Sequence, residues 1–347
     1  MSIALDATYS AGRQLTGVGV YSRQLLLGLA RAHPETRFAF GYRLHRYFRS
    51  FQEALPRNVR RGLLTANWQP SCDLFHGLNQ RVDSARYRRT VSTFHDLFVL
   101  TSDYSTTEFR TRFAEQARLA AERSDLIIAV SAFTAGQVSE LLKVEPGRIR
   151  VVHHGVRPPP QLSPGQREKM MQREKMILFT GAIQRRKNVS RLIEAFERAA
   201  PADWTLVLAG SSGFGAEEIL QRAQRDQRIR LTGYVSDGEL ESLYSRAAVF
   251  AFPSLDEGFG MPVLDAMARG VPVLTSNRSA LPEVVGDAAL LVDPLETASV
   301  ADGLQRLIEG ESMRAELSRK GMQRATEFSW EKAVEETWRV YRELLDV

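Results

Sequence analysis

Short apolar runs alternate along the chain with longer stretches whose apolar residues recur at helical spacing. In the first half, residues 2–7, 37–42, 73–77, 90–96, 125–131 and 149–155 read as strands (SIALDA, RFAFGY, DLFHG, TVSTFHD, DLIIAVS, IRVVHHG). Between them lie amphipathic stretches such as VYSRQLLLGLARAH and TTEFRTRFAEQARLAAERS. The strand runs are nearly continuous in apolar residues rather than alternating, the pattern of parallel strands covered by helices on both faces. The same rhythm restarts with KMILFTG at 175–181 and continues through WTLVLAG, RIRLTGYV, VFAFPS, VPVLTS and AALLVD. Between the halves, VRPPPQLSPGQ holds Pro158, Pro159, Pro160 and Pro164, which helix interiors and central strands exclude. The pattern predicts an α/β protein of two doubly wound Rossmann-like domains, residues 1–163 and 164–328, facing each other across a cleft. A closing helix over 329–347, opened by Ser329 as N-cap, is expected to pack back on the amino-terminal domain. Ligands of such sheets bind at strand carboxyl ends.

Composition narrows the class. A chain of 347 residues with 44% hydrophobic and 25% charged residues suits two globular domains and excludes a fibrous or mostly disordered one. Cys72 is the single cysteine, so neither an intrachain disulfide nor a cysteine-based zinc site can form. No apolar run approaches the roughly 20 residues of a membrane span, and MSIALDATYS has no basic leader ahead of an apolar run. A cytoplasmic protein is expected.

Charge divides the chain unevenly. Residues 1–170 carry 24 Lys and Arg against 14 Asp and Glu, and the remainder 22 against 27. A basic first half points to an anionic partner. Its densest stretch, 42–61, interleaves Arg43, Arg46, Arg49, Arg57, Arg60 and Arg61 with Tyr42, Tyr47, Phe48 and Phe51. As a helix, Leu44, Tyr47, Phe48 and Phe51 would share one face, either turned to the core or laid into the headgroup boundary of an anionic membrane. Nucleic acid is not expected, because no nucleic-acid-binding motif accompanies the charge.

The chemistry concentrates in FPSLDEGFGMPVLDAMARGVPVLTS, residues 252–276. A strand leads into a loop of Glu257, Gly258, Phe259 and Gly260, and a helix then opens at Met261 and Pro262. Its uncapped amides and positive dipole end would suit a phosphate. Glu257 and Asp265 flank those amides, and carboxylates there make sense as acceptors for sugar hydroxyls. The plainer alternative has Glu257 as a loop surface residue and Asp265 as a dipole-stabilising one. In FTGAIQRRKNVSRLIEAF, Arg185, Arg186 and Lys187 stand where a helix begins, a position that disfavours cations unless they serve an anion. No His and carboxylate cluster has metal-ligand spacing, so neither a metal nor a cofactor is expected.

These segments resemble the retaining GT-B glycosyltransferases of glycosyltransferase family four, whose signature is Glu, seven residues, Glu in a stretch like EGFGMPVLDAMARGVPV. The resemblance implies that Glu257 contacts the donor sugar. Asp265, standing where the family has its second Glu, would bind the ribose. It places Arg186 and Lys187 on the donor diphosphate, with Gly181 in the preceding turn. Many relatives carry Arg where Ala182 stands here, which leaves Arg185 or Arg186 to compensate. TGVGVYSRQL resembles the family's amino-terminal glycine loop through Gly17 and Gly19. VSTFHDLFVL matches a strand end bearing a donor-sugar histidine, His95, with Asp96 beside it, and His154 falls where many relatives have Asn. Tyr234 and Val235 would read the base through their backbone, and Glu283 lies in another family-like stretch. The implied activity is a metal-independent, retaining transfer of a sugar, mannose from GDP-mannose, in bacterial surface polysaccharide synthesis. The partners would be a GDP- or UDP-linked nucleotide sugar, a saccharide or lipid-linked acceptor, and an anionic membrane met through Arg43, Arg46, Arg49, Arg60 and Arg61. A GT-B epimerase or phosphorylase, and a non-catalytic sugar-nucleotide or membrane-surface binding module, are the rivals.

Overall fold

The computed structural model describes residues 1–12, 14–65, 70–82, 87–159 and 173–345. Two compact units emerge, one formed by 1–155 with 328–347 and the other by 156–327. The expected boundary at 163/164 and most of the proline-rich linker lie outside the described residues. The described part of that linker, 156–159, already groups with the second unit.

The first unit is built on seven parallel strands: β1 Ser2–Asp6, β2 Arg37–Tyr42, β3 Val59–Leu63, β4 Leu74–Gly77, β5 Thr90–Phe94, β6 Leu126–Ala129 and β7 Ile149–Val151. Their order is β3-β2-β1-β4-β5-β6-β7, so the winding reverses between β1 and β4. Burial follows the sequence pattern: β4, β5 and β6 are buried along their whole length. The expected strands all form. β3 is an addition, VRRGL at the sheet edge, where Arg60 is exposed. A charged, half-buried edge strand carries no apolar run, and charge on such an edge discourages pairing with other chains.

Helix Trp330–Leu345 belongs to this unit and starts with Ser329 Oγ accepting the Lys332 amide at 3.1 Å. Its Tyr341 hydroxyl reaches His76 Nδ1 at 2.6 Å, and its Glu343 takes a two-point ion pair from Arg150.

The second unit repeats the architecture with six parallel strands: β8 Glu174–Thr180, β9 Thr205–Ala209, β10 Ile229–Gly233, β11 Ala247–Phe252, β12 Val273–Ser276 and β13 Leu290–Val292. Their order is β10-β9-β8-β11-β12-β13, with the reversal between β8 and β11. The core centres on β11, fully buried as AAVFAF, with Phe250, Phe252 and Phe179 stacked in a row. Arg173 closes the lower edge. Its guanidinium donates to four carbonyls, of Tyr244, Ala247, Arg269 and Gly270, at 2.8–3.0 Å, at the carboxyl ends of two helices. No helix among the described residues is long and apolar enough to cross a membrane.

Candidate functional site

In the second unit, the loops leaving β8 and β11 meet at the point where the winding reverses, the place where a doubly wound sheet opens a crevice for ligand. After β8 the chain turns at Gly181, whose φ of 129° is a region that side chains rarely adopt. Gly210 packs onto it so tightly that a Cβ there would lie 1.9 Å from the Gly181 carbonyl oxygen. A short 3-10 turn, Arg185–Lys187, follows and ends on Asn188 in the left-handed conformation, φ 58°. The Asn188 side chain donates through Nδ2 to the carbonyls of Pro253 and Pro294 at 3.0 and 2.7 Å, which fixes the turn against the end of β11.

The result is a buried cluster of charge. Arg186, Lys187 and Glu257 are each only 7–8% exposed. One carboxylate oxygen of Glu257 pairs with Lys187 Nζ, and the other faces Arg186 Nη1 at 3.2 Å. Ser254, fully buried, donates to Glu257 Oε1 at 2.6 Å, and Arg186 also donates to the Asp256 carbonyl. Lys187 Nζ stands 4.8 Å from the centre of the Phe252 ring, a cation–π contact that adds to its fixation. Burial alone would push the Glu257 carboxyl up, but Lys187, Arg186 and the Ser254 bond outweigh it and hold it below the usual carboxylate range. Glu257 is therefore ionised at neutral pH.

Beside this cluster the helix Met261–Ala268 begins at Gly260, φ 109°, with no side chain capping its first amides. The backbone angle demands glycine, and a Cβ on Gly260 would also press on Leu281 Cδ2 at 2.7 Å. Gly258 and Phe259 are buried, while Met261 and Pro262 are half-buried. Asp265, one turn on, accepts from Arg269 Nη1 at 3.4 Å. Burial raises its carboxyl against the pull of Arg269 and Arg157. Arg269 in turn is held by Glu241 and lies over the Tyr244 ring, whose hydroxyl is 3.1 Å from Thr180 Oγ1. Tyr234 is exposed, and Val235 beside it is half-buried, on the turn that follows β10. Arg185 is exposed too, so Arg186 is the arginine that the fold brings to Glu257. Glu283 lies in the first turn of the short helix Leu281–Val285, where its carbonyl accepts from Arg324.

The first unit gathers a different set of groups at its own strand ends. His95 follows β5 and is 9% exposed. Its Nε2–H donates to the Leu78 carbonyl at 2.9 Å, and its ring stacks on His154 with centroids 5.3 Å apart. Tyr21 meets both rings edge-on at 4.7 and 4.8 Å. The Tyr21 hydroxyl, Thr93, His76 and Tyr341 form a continuous hydrogen-bonded chain at 2.6–3.0 Å. Burial pushes His95 down to about 4 and His76 to about 3, so both are neutral at pH 7. With Nε2 donating to a carbonyl, a neutral His95 keeps Nδ1 as an acceptor. Gly17 and Gly19 begin helix Gly17–Ala32, capped by Thr16, whose Oγ1 accepts the Gly19 amide at 3.4 Å.

The basic stretch splits into structural and exposed arginines. Helix Leu44–Ser50 forms as expected, but its aromatic face does not enter the core: Phe48 is 73% exposed, and Leu44 and Phe51 are exposed with it. Arg49 and Arg60 are exposed as well, Arg60 from strand β3 rather than a helix. Arg61, on that same strand, instead donates to the carbonyls of Ser50 and Glu53 and lies over the Phe51 ring. Arg46 donates to the Ala11 carbonyl at 3.0 Å, and the Arg43 amide to Thr8 Oγ1 at 3.2 Å. Of the five arginines expected to meet an acceptor or a membrane, Arg46 and Arg61 thus use guanidinium nitrogens on main-chain carbonyls, while Arg49 and Arg60 are exposed. Among the described residues, no three His, Cys, Asp or Glu gather as metal ligands.

Comparison with known proteins joins this geometry to a lineage. The family described as "Glycosyl transferases group 1" matches residues 166–324, and "Glycosyltransferase Family 4" matches 15–158. The O-antigen chain mannosyltransferase B of Escherichia coli is 31% identical over 283 residues, covering 78% of this chain and 74% of that one. The chain belongs to the family four glycosyltransferases. Solved structures share the fold at lower identity. The sucrose-phosphate synthase of Thermosynechococcus elongatus superposes with a TM-score of 0.78 at 21% identity, over 100% of this chain and 99% of its own. HepE of Anabaena, solved in complex with UDP and glucose, gives 0.75 at 18% identity, covering 98% of each chain. The GT-B architecture of two Rossmann-like units and a transferase activity on sugars follow for this glycosyltransferase.

Sequence reasoning did not single out Ser254, Asn188 or Arg173. Asn188 binds carbonyls 65 and 106 residues away and Ser254 lies against the Arg186 carbonyl 68 residues away, contacts that no local spacing encodes. The proline before Ser254 and the asparagine after a run of cations were the available signals.

Proposed function

We propose that this glycosyltransferase moves mannose from GDP-mannose to a saccharide or lipid-linked acceptor during bacterial surface polysaccharide synthesis. The observation that carries the reading is the Arg186–Lys187 pair, buried against Glu257 at the sheet reversal and beside uncapped helix amides. Two cations and a helix start suit the diphosphate of a sugar nucleotide, whose negative charge grows as the glycosidic bond breaks. A relative named for mannose transfer supports the sugar, and a UDP-bound structural neighbour supports a nucleotide donor.

In this reading the bond between sugar C1 and the diphosphate oxygen breaks, and its electron pair leaves with the phosphate. The acceptor hydroxyl oxygen bonds to C1 on the same face, and its proton passes to the departing phosphate oxygen, so configuration is retained. Arg186 and Lys187 stabilise the leaving diphosphate without a metal or other cofactor. Glu257 and the Nδ1 of His95 accept hydroxyls of the donor sugar, Asp265 those of the ribose, and the backbone at Tyr234 and Val235 meets the base. The first unit takes the acceptor, and Leu44, Phe48 and Phe51 with Arg49 and Arg60 seat it at the anionic inner face of a membrane.

Incubation with GDP-mannose, UDP-glucose or ADP-glucose and an oligosaccharide primer tests this directly. Nucleoside diphosphate release that depends on primer and is largest with GDP-mannose is the expected result. Release of sugar phosphate would favour a phosphorylase, and conversion of the sugar nucleotide without an acceptor an epimerase.

A further inference from the structure

The buried cations of the second unit already have an anion: Glu257 engages Lys187 through one oxygen and Arg186 through the other. We propose that Glu257 is an internal competitor for the diphosphate, so that this carboxylate sets the enzyme's discrimination between a loaded sugar nucleotide and the spent nucleoside diphosphate. The inference rests on the reading of Arg186 and Lys187 as the diphosphate site.

The geometry leads there by charge and accounting of hydrogen bonds. A diphosphate brought to Arg186 and Lys187 meets a third charge of its own sign within the same buried cluster. Like charges in a poorly hydrated site repel strongly, so the incoming anion must draw the cations away from Glu257. Glu257 then keeps the 2.6 Å bond from Ser254 but loses contacts that held its charge. A buried carboxylate short of partners is costly. A sugar on the diphosphate supplies hydroxyl donors that replace them, whereas a nucleoside diphosphate alone does not. The loaded donor is therefore bound with Glu257 satisfied. After transfer the sugar has gone, Glu257 returns to the cations, and the product is expelled.

Ser254 makes the arrangement adjustable. It is fully buried, and its hydroxyl reaches the Glu257 oxygen that also pairs with Lys187. Removing that hydroxyl weakens the hold on the carboxylate without touching either cation. Its Oγ also lies 3.2 Å from the Arg186 carbonyl, so the effect on folding is read separately by thermal melting.

Calorimetric titration of the full chain with inorganic pyrophosphate, GDP and GDP-mannose tests the proposal, since pyrophosphate carries neither sugar nor base. Glu257→Gln keeps the shape and removes the charge. It is expected to bind pyrophosphate and GDP at least about tenfold more tightly than the native chain, as expected for the loss of a desolvated like charge. Its preference for GDP-mannose over GDP should shrink or reverse. Ser254→Ala takes from the displaced carboxylate the partner it keeps, so it should weaken pyrophosphate and GDP more than GDP-mannose, whose sugar hydroxyls replace that partner, and this covers the case that Glu257→Gln does not fold. Arg186→Ala and Lys187→Ala serve as the reference. If they weaken pyrophosphate binding while Glu257→Gln leaves it unchanged or weaker, or while Ser254→Ala costs pyrophosphate no more than it costs GDP-mannose, the competitor role is overturned and the diphosphate site stands. If neither cation variant alters pyrophosphate binding, the diphosphate reading falls, and the competitor role with it.

Discussion

The two sheet reversals of this glycosyltransferase solve the problem of buried polar groups in opposite ways. In the second unit the crevice between β8 and β11 is filled with charge, two cations and a carboxylate bound to one another. In the first unit the strand ends gather His76, His95, His154, Tyr21 and Tyr341 as neutral rings joined by hydrogen bonds and stacking. Paired charges keep a site ready for an ionic ligand, because the partner can be exchanged. Neutral rings in a closed network resist exchange and instead hold shape. The contrast fits the proposed division, in which the second unit takes the diphosphate and the first meets hydroxyls.

The largest effect should come from breaking the charged side. On the proposed reading, replacing Lys187 or Arg186 by Ala removes a fixed positive charge from the leaving group, a change that costs about 10²–10³ in kcat where comparable electrostatic contacts have been removed. Steady-state transfer assays read it, and the native circular-dichroism spectrum should be retained. The same assay on His95→Ala should show a smaller loss, since a neutral acceptor nitrogen contributes less than a cation. Because His95 titrates near 4, wild-type turnover should show no histidine-like inflection between pH 6 and 8.

Next comes a structural cut through the second unit alone. Gly210→Ala drives a methyl onto the Gly181 carbonyl at the turn that leads to the cations. A loss of about 3 kcal/mol or more is expected from backbone that must move, visible in chemical denaturation as weakening of the second unit's transition. Were stability unchanged, the turn would be more yielding than its contacts imply.

The neutral network predicts that the histidine part of the pH dependence belongs to the first unit, where all six histidines of the chain lie. His76 and His95 bind protons far less readily folded than unfolded, where their ordinary value is 6.5. Below that value the unfolded chain takes up protons first, so stability falls as pH drops from about 6.5 toward the folded values of about 3 and 4. Each such histidine contributes a slope of up to about 1.4 kcal/mol per pH unit in that window, and none above it. His76→Asn should flatten the slope, and Tyr341→Phe should cost about 1 kcal/mol at neutral pH through one lost hydrogen bond.

Much of this contrast was legible in the sequence, and unevenly so. Strand runs such as LIIA and TLVLA are fully or almost fully buried, so their apolar continuity announced them. VRRGL, at the edge, announced nothing because its faces are half exposed. The charged site was readable because EGFG followed by Met-Pro, and RRK ahead of a helix, are locally improbable unless they serve a ligand. Their mutual pairing was not readable, since Lys187 and Glu257 lie 70 positions apart and nothing local says that the cations already hold an anion. The role of Arg46 and Arg61 was hidden for the same reason. An arginine that satisfies a carbonyl and one that faces solvent have identical spacing in the chain.

That last ambiguity supplies the smallest and most separable prediction. Arg49 and Arg60 are exposed, whereas Arg61 holds the end of the helix Leu44–Ser50. Near an anionic surface a cation is worth about 1 kcal/mol, or roughly fivefold in binding. Arg49→Ser and Arg60→Ser should each weaken association with phosphatidylglycerol vesicles by about that factor, with the difference vanishing as salt rises. Phe48→Ser should weaken it at every salt concentration, because its contribution is apolar. Arg61→Ser should instead lower thermal stability, since it leaves carbonyls of Ser50 and Glu53 without their donor. If Arg49→Ser and Phe48→Ser bind vesicles as the native chain does, the exposed aromatic face meets something other than a membrane, and the first unit's basic surface serves the acceptor alone.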